Sequence, residues 1–115
     1  GLTFKPGTDD LREAPSLDNV PLLLEAGADI YAYDPIGAER FQKRFPEGIQ
    51  YTKTIEEALQ GANVCFAFTE WEEIRSIPPR QFKEWMRTAL LYDGRNMYDK
   101  AAMEKAGVEY YGVGR

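Results

Sequence analysis

Short apolar runs along the chain alternate with amphipathic stretches six times, which predicts strands alternating with helices. Leu2 to Phe4 reads as a first strand, followed by Pro6-Gly7, a pair suited to the central positions of a type II turn. A helix follows on Leu17, Val20, Leu22, Leu23, Leu24 and Ala26. Ser16 is one candidate cap, but Pro21 would then fall past the first turn and remove a hydrogen bond. Asp18 as the cap, or a kink at Pro21, is the preferred reading, and Gly27 is the stop. Ile30 to Tyr33 is the second strand, closed by Asp34-Pro35. Ala38 to Phe45 is a helix with Phe41 and Phe45 on one face. Ile49 to Tyr51 is a third strand. Thr54 and Glu57 then form a capping box for a helix carrying Ile55, Ala58 and Leu59 and ending at Gly61. Asn63 to Phe68 is a near-continuous apolar run, as in a strand buried on both faces of a parallel sheet. Trp71 to Ile74 and Pro79 to Met86 read as short helical pieces. Ala89 to Tyr92 is a strand closed by Asp93-Gly94, Lys100 to Ala106 a helix ended by Gly107, and Val108 to Val113 a last, edge strand.

This alternation implies right-handed crossovers. The expected fold is α/β: a three-layer open, mainly parallel sheet of five to six strands with helices on both faces, Rossmann-like. The length of 115 residues fits one domain. Because the first apolar run is already under way at Gly1, residues 1–115 are read as one domain excised from a longer protein. Fourteen Lys and Arg against nineteen Asp and Glu give a net charge of −5, which disfavours nonspecific nucleic-acid binding. No apolar run approaches the roughly 20 residues that span a bilayer. A single Cys suggests a reducing, cytoplasmic setting. The absence of His removes His-based acid/base catalysis, Ser-His triads and His metal sites.

Ligands of open α/β sheets bind outside the carboxyl ends of the strands. Lys5, Arg12 and Arg95 follow such ends, and a phosphate or diphosphate would explain their clustering on an acidic domain. The competing reading is surface ion pairing with Asp9, Asp10 and Glu13. Neither a Gly-x-Gly-x-x-Gly loop nor a Gly-Lys-Ser/Thr loop is present. Asp34 imitates the ribose-binding acid of dinucleotide folds, but without the glycine loop a turn-forming role is preferred. Cys65 reads as a core thiol. Trp85 reads as core, and Trp71 is open. Asp9 and Asp10 are expected to organise their loop through bonds to backbone. A receiver-like phosphoacceptor module would also place acids after the first strand and a Thr after the fourth. Here the third strand ends in Tyr51-Thr52-Lys53, without the acceptor Asp, and the fifth ends in Asp93 rather than Lys.

The run from Gly1 to Ser16, with Ala32-Tyr33-Asp34-Pro35, Thr69-Glu70-Trp71 and Asp93-Gly94-Arg95-Asn96 in order, resembles the C-terminal domain of the UDP-glucose/GDP-mannose dehydrogenase family. The resemblance covers essentially the whole chain. It implies a parent, a homo-oligomer, that oxidises UDP-glucose to UDP-glucuronate with two NAD+, the alternatives being GDP-mannose or a UDP-N-acetyl-hexosamine. An N-terminal domain would bind NAD, and a central domain would carry the nucleophilic cysteine. The domain read here would hold UDP, without catalytic residues of its own. By position, Phe4 and Lys5 match a substrate-contacting pair, Arg95 an arginine on the nucleotide sugar, and Arg12 an arginine that reaches NAD across the cleft. Cys65 lies outside the Gly-Gly-Ser-Cys-type context of the family nucleophile, and Glu70 and Trp71 have no role carried over.

Overall fold

The computed structural model describes residues 1–113. Helix α1 (Ser16–Glu25) starts two residues before Asp18 and has no side-chain cap. Pro15 at φ −57° sets the helical entry, and the Ser16 hydroxyl is occupied elsewhere, donating to the Leu2 carbonyl at 2.6 Å. Pro21 therefore lies inside the helix, contrary to the expectation of an Asp18 start. The helix stops as predicted: Gly27, at φ +83°, lets its own N–H reach Leu24 O while Ala28 N–H reaches Leu23 O.

Strand β1 (Ile30–Ala32), helix α2 (Ala38–Arg44), strand β2 (Ile49–Tyr51) and helix α3 (Ile55–Leu59) follow. Thr54 caps α3 by accepting from Glu57 N–H at 3.1 Å, as the capping pattern predicts. Then come strand β3 (Cys65–Ala67), the single turn α4 (Glu72–Arg75), helix α5 (Pro79–Trp85), strand β4 (Leu90–Asp93), helix α6 (Lys100–Lys105) and strand β5 (Glu109–Gly112). Asp99 caps α6 through Ala102 N–H at 3.0 Å.

All strand pairs are parallel, in two sheets ordered β1-β2 and β3-β4-β5, with helices on both faces and β5 at an edge. The first strand, expected at Leu2–Phe4, is not formed. Its backbone is committed to side chains: Leu2 N–H and Thr3 N–H donate to the Asp34 carboxylate, Leu2 O accepts from Ser16, and Thr3 O accepts from Thr69. A segment bonded in this way has no groups left for a ladder.

Two cores result. Phe41 and Val20 pack with Leu2, Leu11 and Ala32 beneath α1 and α2, and Phe41 stacks on Phe45 at 4.9 Å. Leu91, Phe82, Met103, Val108 and Tyr110 form the other with α3, α5 and α6. Leu91 has no exposed surface. Leu91→Ala is expected to lower stability by about 2–5 kcal/mol, read from urea unfolding. A loss below about 1 kcal/mol would show that the sheet collapses onto the space.

Candidate functional site

Two buried carboxylates shape the carboxyl rim. Asp34, just beyond β1, accepts from Leu2 N–H at 2.7 Å, Thr3 N–H at 3.2 Å, Ile36 N–H at 3.0 Å, Gly37 N–H at 2.6 Å and Trp71 Nε1–H at 3.2 Å. Asp93, at the end of β4, accepts from the N–H groups of Arg95, Met97 and Tyr98 and from the Tyr110 hydroxyl. Each fixes one strand-end turn and ties it to a distant segment. The Asp-Pro and Asp-Gly pairs in the sequence signal the turns; the long-range donors leave no local signature.

The segment after Thr3 forms a closed loop. Phe4 N–H donates to Asp10 O at 3.1 Å, and Gly7 takes φ +84°, the value needed at the second central position of a type II turn. Asp10 organises the loop further, accepting from Arg12 N–H at 2.9 Å. Its carboxylate also receives the Arg12 guanidinium in bidentate fashion, Nη2 to Oδ2 at 2.9 Å. Asp9 does not bond the backbone as expected. It pairs with Arg40 Nε at 3.1 Å, because α2 brings that guanidinium over the loop. Glu13 follows in the left-handed region at φ +60°.

The hydrogen bonds from Arg12, helped by its charge, hold the Asp10 carboxyl at a pKa of about 2. Stability from this pair is present above the ordinary carboxyl pKa of about 3.9 and is lost as pH falls toward 2. An NMR titration should show Asp10 near 2 and, in Arg12→Ala, a return toward about 3.9. An unmoved midpoint in that variant would remove Arg12 as the cause.

Arg95 bridges the loop to the sheet. Its Nε donates to Phe68 O at 2.9 Å, its Nη2 donates to Phe4 O, and its guanidinium lies 5.6 Å from the centre of the Phe4 ring. Both acceptors are neutral carbonyls, not carboxylates. Lys5 is the next residue along and is exposed. Among the described residues, no carboxylate lies within 4.0 Å of either Lys5 or Arg95. The structure thus brings Phe4 and Arg95 into contact, with Lys5 beside them. Arg12 shares a shallow hollow of about 420 Å³ with Phe4, Asp10 and Glu13, and its side chain is 89% exposed. Among the described residues, the ion-pair reading thus describes Arg12 and neither Lys5 nor Arg95.

Behind the rim, Thr69 is fully buried and donates to Thr3 O at 2.5 Å, so its hydroxyl is structural. Trp71 is held by Asp34 and packs on the larger core, as does Trp85. Burial pushes the Cys65 thiol up to about 11, which suits a core thiol and not a nucleophile. Asn96, at φ +52°, clasps Val113 through both amide atoms, Nδ2 to O at 2.8 Å and Oδ1 to N–H at 2.7 Å. Sequence reading singled out none of these tethers. Among the described residues, no helix is long and apolar enough to cross a membrane.

Two parallel sheets flanked by helices define a Rossmann-like class of α/β domain, in which ligands sit outside the carboxyl ends of the strands. Residues 1–100 match the UDP-glucose/GDP-mannose dehydrogenase family, UDP binding domain, and the chain belongs to that family. It is 44% identical over 115 residues to UDP-glucose 6-dehydrogenase YwqF of Bacillus subtilis, covering all of this chain and 26% of the relative. It is 42% identical over 120 residues to UDP-glucose 6-dehydrogenase of Pseudomonas aeruginosa, again covering all of this chain and 26% of the relative. Its fold matches a solved NDP-N-acetyl-D-galactosaminuronic acid dehydrogenase from Methanosarcina mazei at TM-score 0.85 and 26% identity, over all of this chain and 23% of that one. The chain spans about a quarter of the length of the curated relatives it matches.

Proposed function

We propose that this domain grips the UDP part of a nucleotide sugar and belongs to an NAD-dependent, homo-oligomeric cytoplasmic dehydrogenase that oxidises UDP-glucose to UDP-glucuronate. The observation that carries the reading is Arg95. It is a cation fixed by two carbonyls, free of any carboxylate among the described residues, and set beside Phe4 and Lys5. A planar guanidinium held in this way suits a diphosphate or a uracil oxygen, and Lys5 adds a mobile point charge. The Phe4 ring offers an apolar face at the same spot. Glucose is favoured over an N-acetylated sugar by the higher identity to the two UDP-glucose enzymes.

The chemistry belongs to the other domains of the proposed parent. Cys65 is a core thiol and there is no His, so this chain supplies binding and orientation. Binding energy on UDP, remote from C6, would hold the sugar against the nucleophile of a central domain. NAD does not fit this sheet. The glycine loop is missing, and Asp34, which would face the ribose, is occupied by five N–H donors. The contribution of this chain to NAD is limited to Arg12, whose exposed pairing with Asp10 leaves it able to reach across a cleft.

Titration calorimetry tests the assignment. UDP and UDP-glucose should bind the full-length enzyme, and UDP alone should bind this chain weakly, since one wall of a cleft rarely holds a ligand tightly. Lys5→Ala in the full-length enzyme should raise KM for UDP-glucose by about tenfold, the loss of one charge-assisted contact. Unchanged kinetics would withdraw the role given to Lys5. Preferred turnover of GDP-mannose would overturn the choice of sugar.

A further inference from the structure

Among the described residues, two that are not glycine take a positive φ: Glu13 at +60° and Asn96 at +52°. Each directly follows an arginine of the rim, Arg12 or Arg95. Side chains meet steric resistance in this region, and the conformation persists only where the surroundings hold it. At Asn96 the holding contacts are visible. Its amide forms two opposed hydrogen bonds with one residue, Nδ2–H to Val113 O at 2.8 Å and Val113 N–H to Oδ1 at 2.7 Å.

Glycine would take this φ without strain but has no side chain to make the clasp. Aspartate tolerates the region too, yet its carboxylate has no donor for the Val113 carbonyl. Asparagine supplies the turn, the donor and the acceptor together. The result is a corner laid across three strand ends. Gly94 N–H donates to Ala67 O at 2.9 Å, at the end of β3. A Cβ at residue 94 would come within 3.2 Å of that same oxygen, so the backbone lies close against β3. Asp93 ends β4 and accepts from Arg95 N–H at 2.9 Å. Asn96 fastens the corner to Val113, just past β5.

Arg95 sits between these fastenings. A guanidinium has five N–H donors. Two of them, on Nε and Nη2, go to the Phe68 and Phe4 carbonyls. Those bonds lie at the end of a long side chain, so they fix its head only while the Cα stays in place. Were the corner to swing away from β5, both would stretch together. We propose that Asn96 is a positioning residue for Arg95: its clasp on Val113 holds the corner, and the corner sets where the guanidinium presents its remaining donors. Asn96 itself need not touch a ligand. The use of this device rests on the reading of Arg95 as an anion-binding group, because such groups must be held within about 0.5 Å of their working geometry.

Two variants of the full-length protein cut the clasp from opposite sides. Asn96→Gly keeps the positive φ and removes the amide. Val113→Pro leaves Asn96 intact and removes the N–H that it accepts. Val113 is 62% exposed and follows Gly112, so the change costs little packing and meets no Cβ on the preceding residue. Phenylglyoxal labelling of Arg95, mapped by mass spectrometry against the exposed Arg80, should quicken by about threefold or more in both variants. UDP affinity, measured by calorimetry, should fall by about 3- to 10-fold. In the Arg95→Ala background, Asn96→Gly should weaken UDP no further, since nothing is left to position. Unchanged labelling in both variants would overturn the proposal. So would a rise of equal size at Arg40 on α2, which would mean general loosening, or a UDP loss that adds in full to that of Arg95→Ala. Faster labelling with UDP affinity unchanged would uphold the positioning and remove UDP as what Arg95 meets. If the unsubstituted protein takes up no UDP, the reading of the rim fails and the labelling ratio alone decides on Asn96.

Discussion

Asp34→Ala is expected to destabilise the domain by about 3–5 kcal/mol, because several buried N–H donors lose a charged acceptor at once. The donors come from three places: the segment at Leu2 and Thr3, the turn at Ile36 and Gly37, and the Trp71 indole. Asp34 is 4% exposed, so water is poorly placed to replace the lost oxygens. Asp34→Asn should cost roughly half as much, since its amide keeps one acceptor oxygen but turns an NH₂ toward donors. Urea unfolding gives the magnitude, and Trp71 fluorescence should report the released indole. A loss below about 1 kcal/mol for the Ala variant would mean that the segment is held by packing of Leu2 and not by the carboxylate.

Arg95→Ala should have the largest functional effect. On the function proposed above, kcat/KM of the full-length protein for UDP-glucose should fall by about 100- to 1000-fold, the consequence of losing a fixed guanidinium at the proposed anion site. Arg95→Lys should recover less than about tenfold of this. An ammonium cannot span the Phe4 and Phe68 carbonyls while presenting a planar edge outward. The two variants also separate roles. If stability falls while kcat/KM and UDP affinity stay normal, Arg95 is only a clasp between loop and sheet.

Much of this architecture was legible in the chain. Thr54 with Glu57, Gly27 after α1, and the apolar run around Cys65 are local signals with local causes, and the elements formed within a residue or two of them. Leu2 to Phe4 failed for a physical reason. Three residues cannot reveal that an Asp about thirty positions away will take their N–H groups. Ser16 misled in the same way, since its hydroxyl bonds Leu2 O instead of the start of its own helix. At the rim, the sequence offered Lys5, Arg12 and Arg95 as candidate cations. It did not indicate that Arg12 would be matched by Asp10 while Arg95 would be held by neutral carbonyls. Partners of that kind lie 27 and 91 positions away along the chain.

Asp34 and Asp93 act as two pins, one just beyond β1 and one at the end of β4, and each arrests its turn with backbone N–H groups of the chain itself. The rim is therefore cast during folding, and the nucleotide proposed for it would meet walls that have little freedom left to surrender. Selectivity for shape follows from such rigidity, because a misfit ligand cannot recruit the turns to accommodate it.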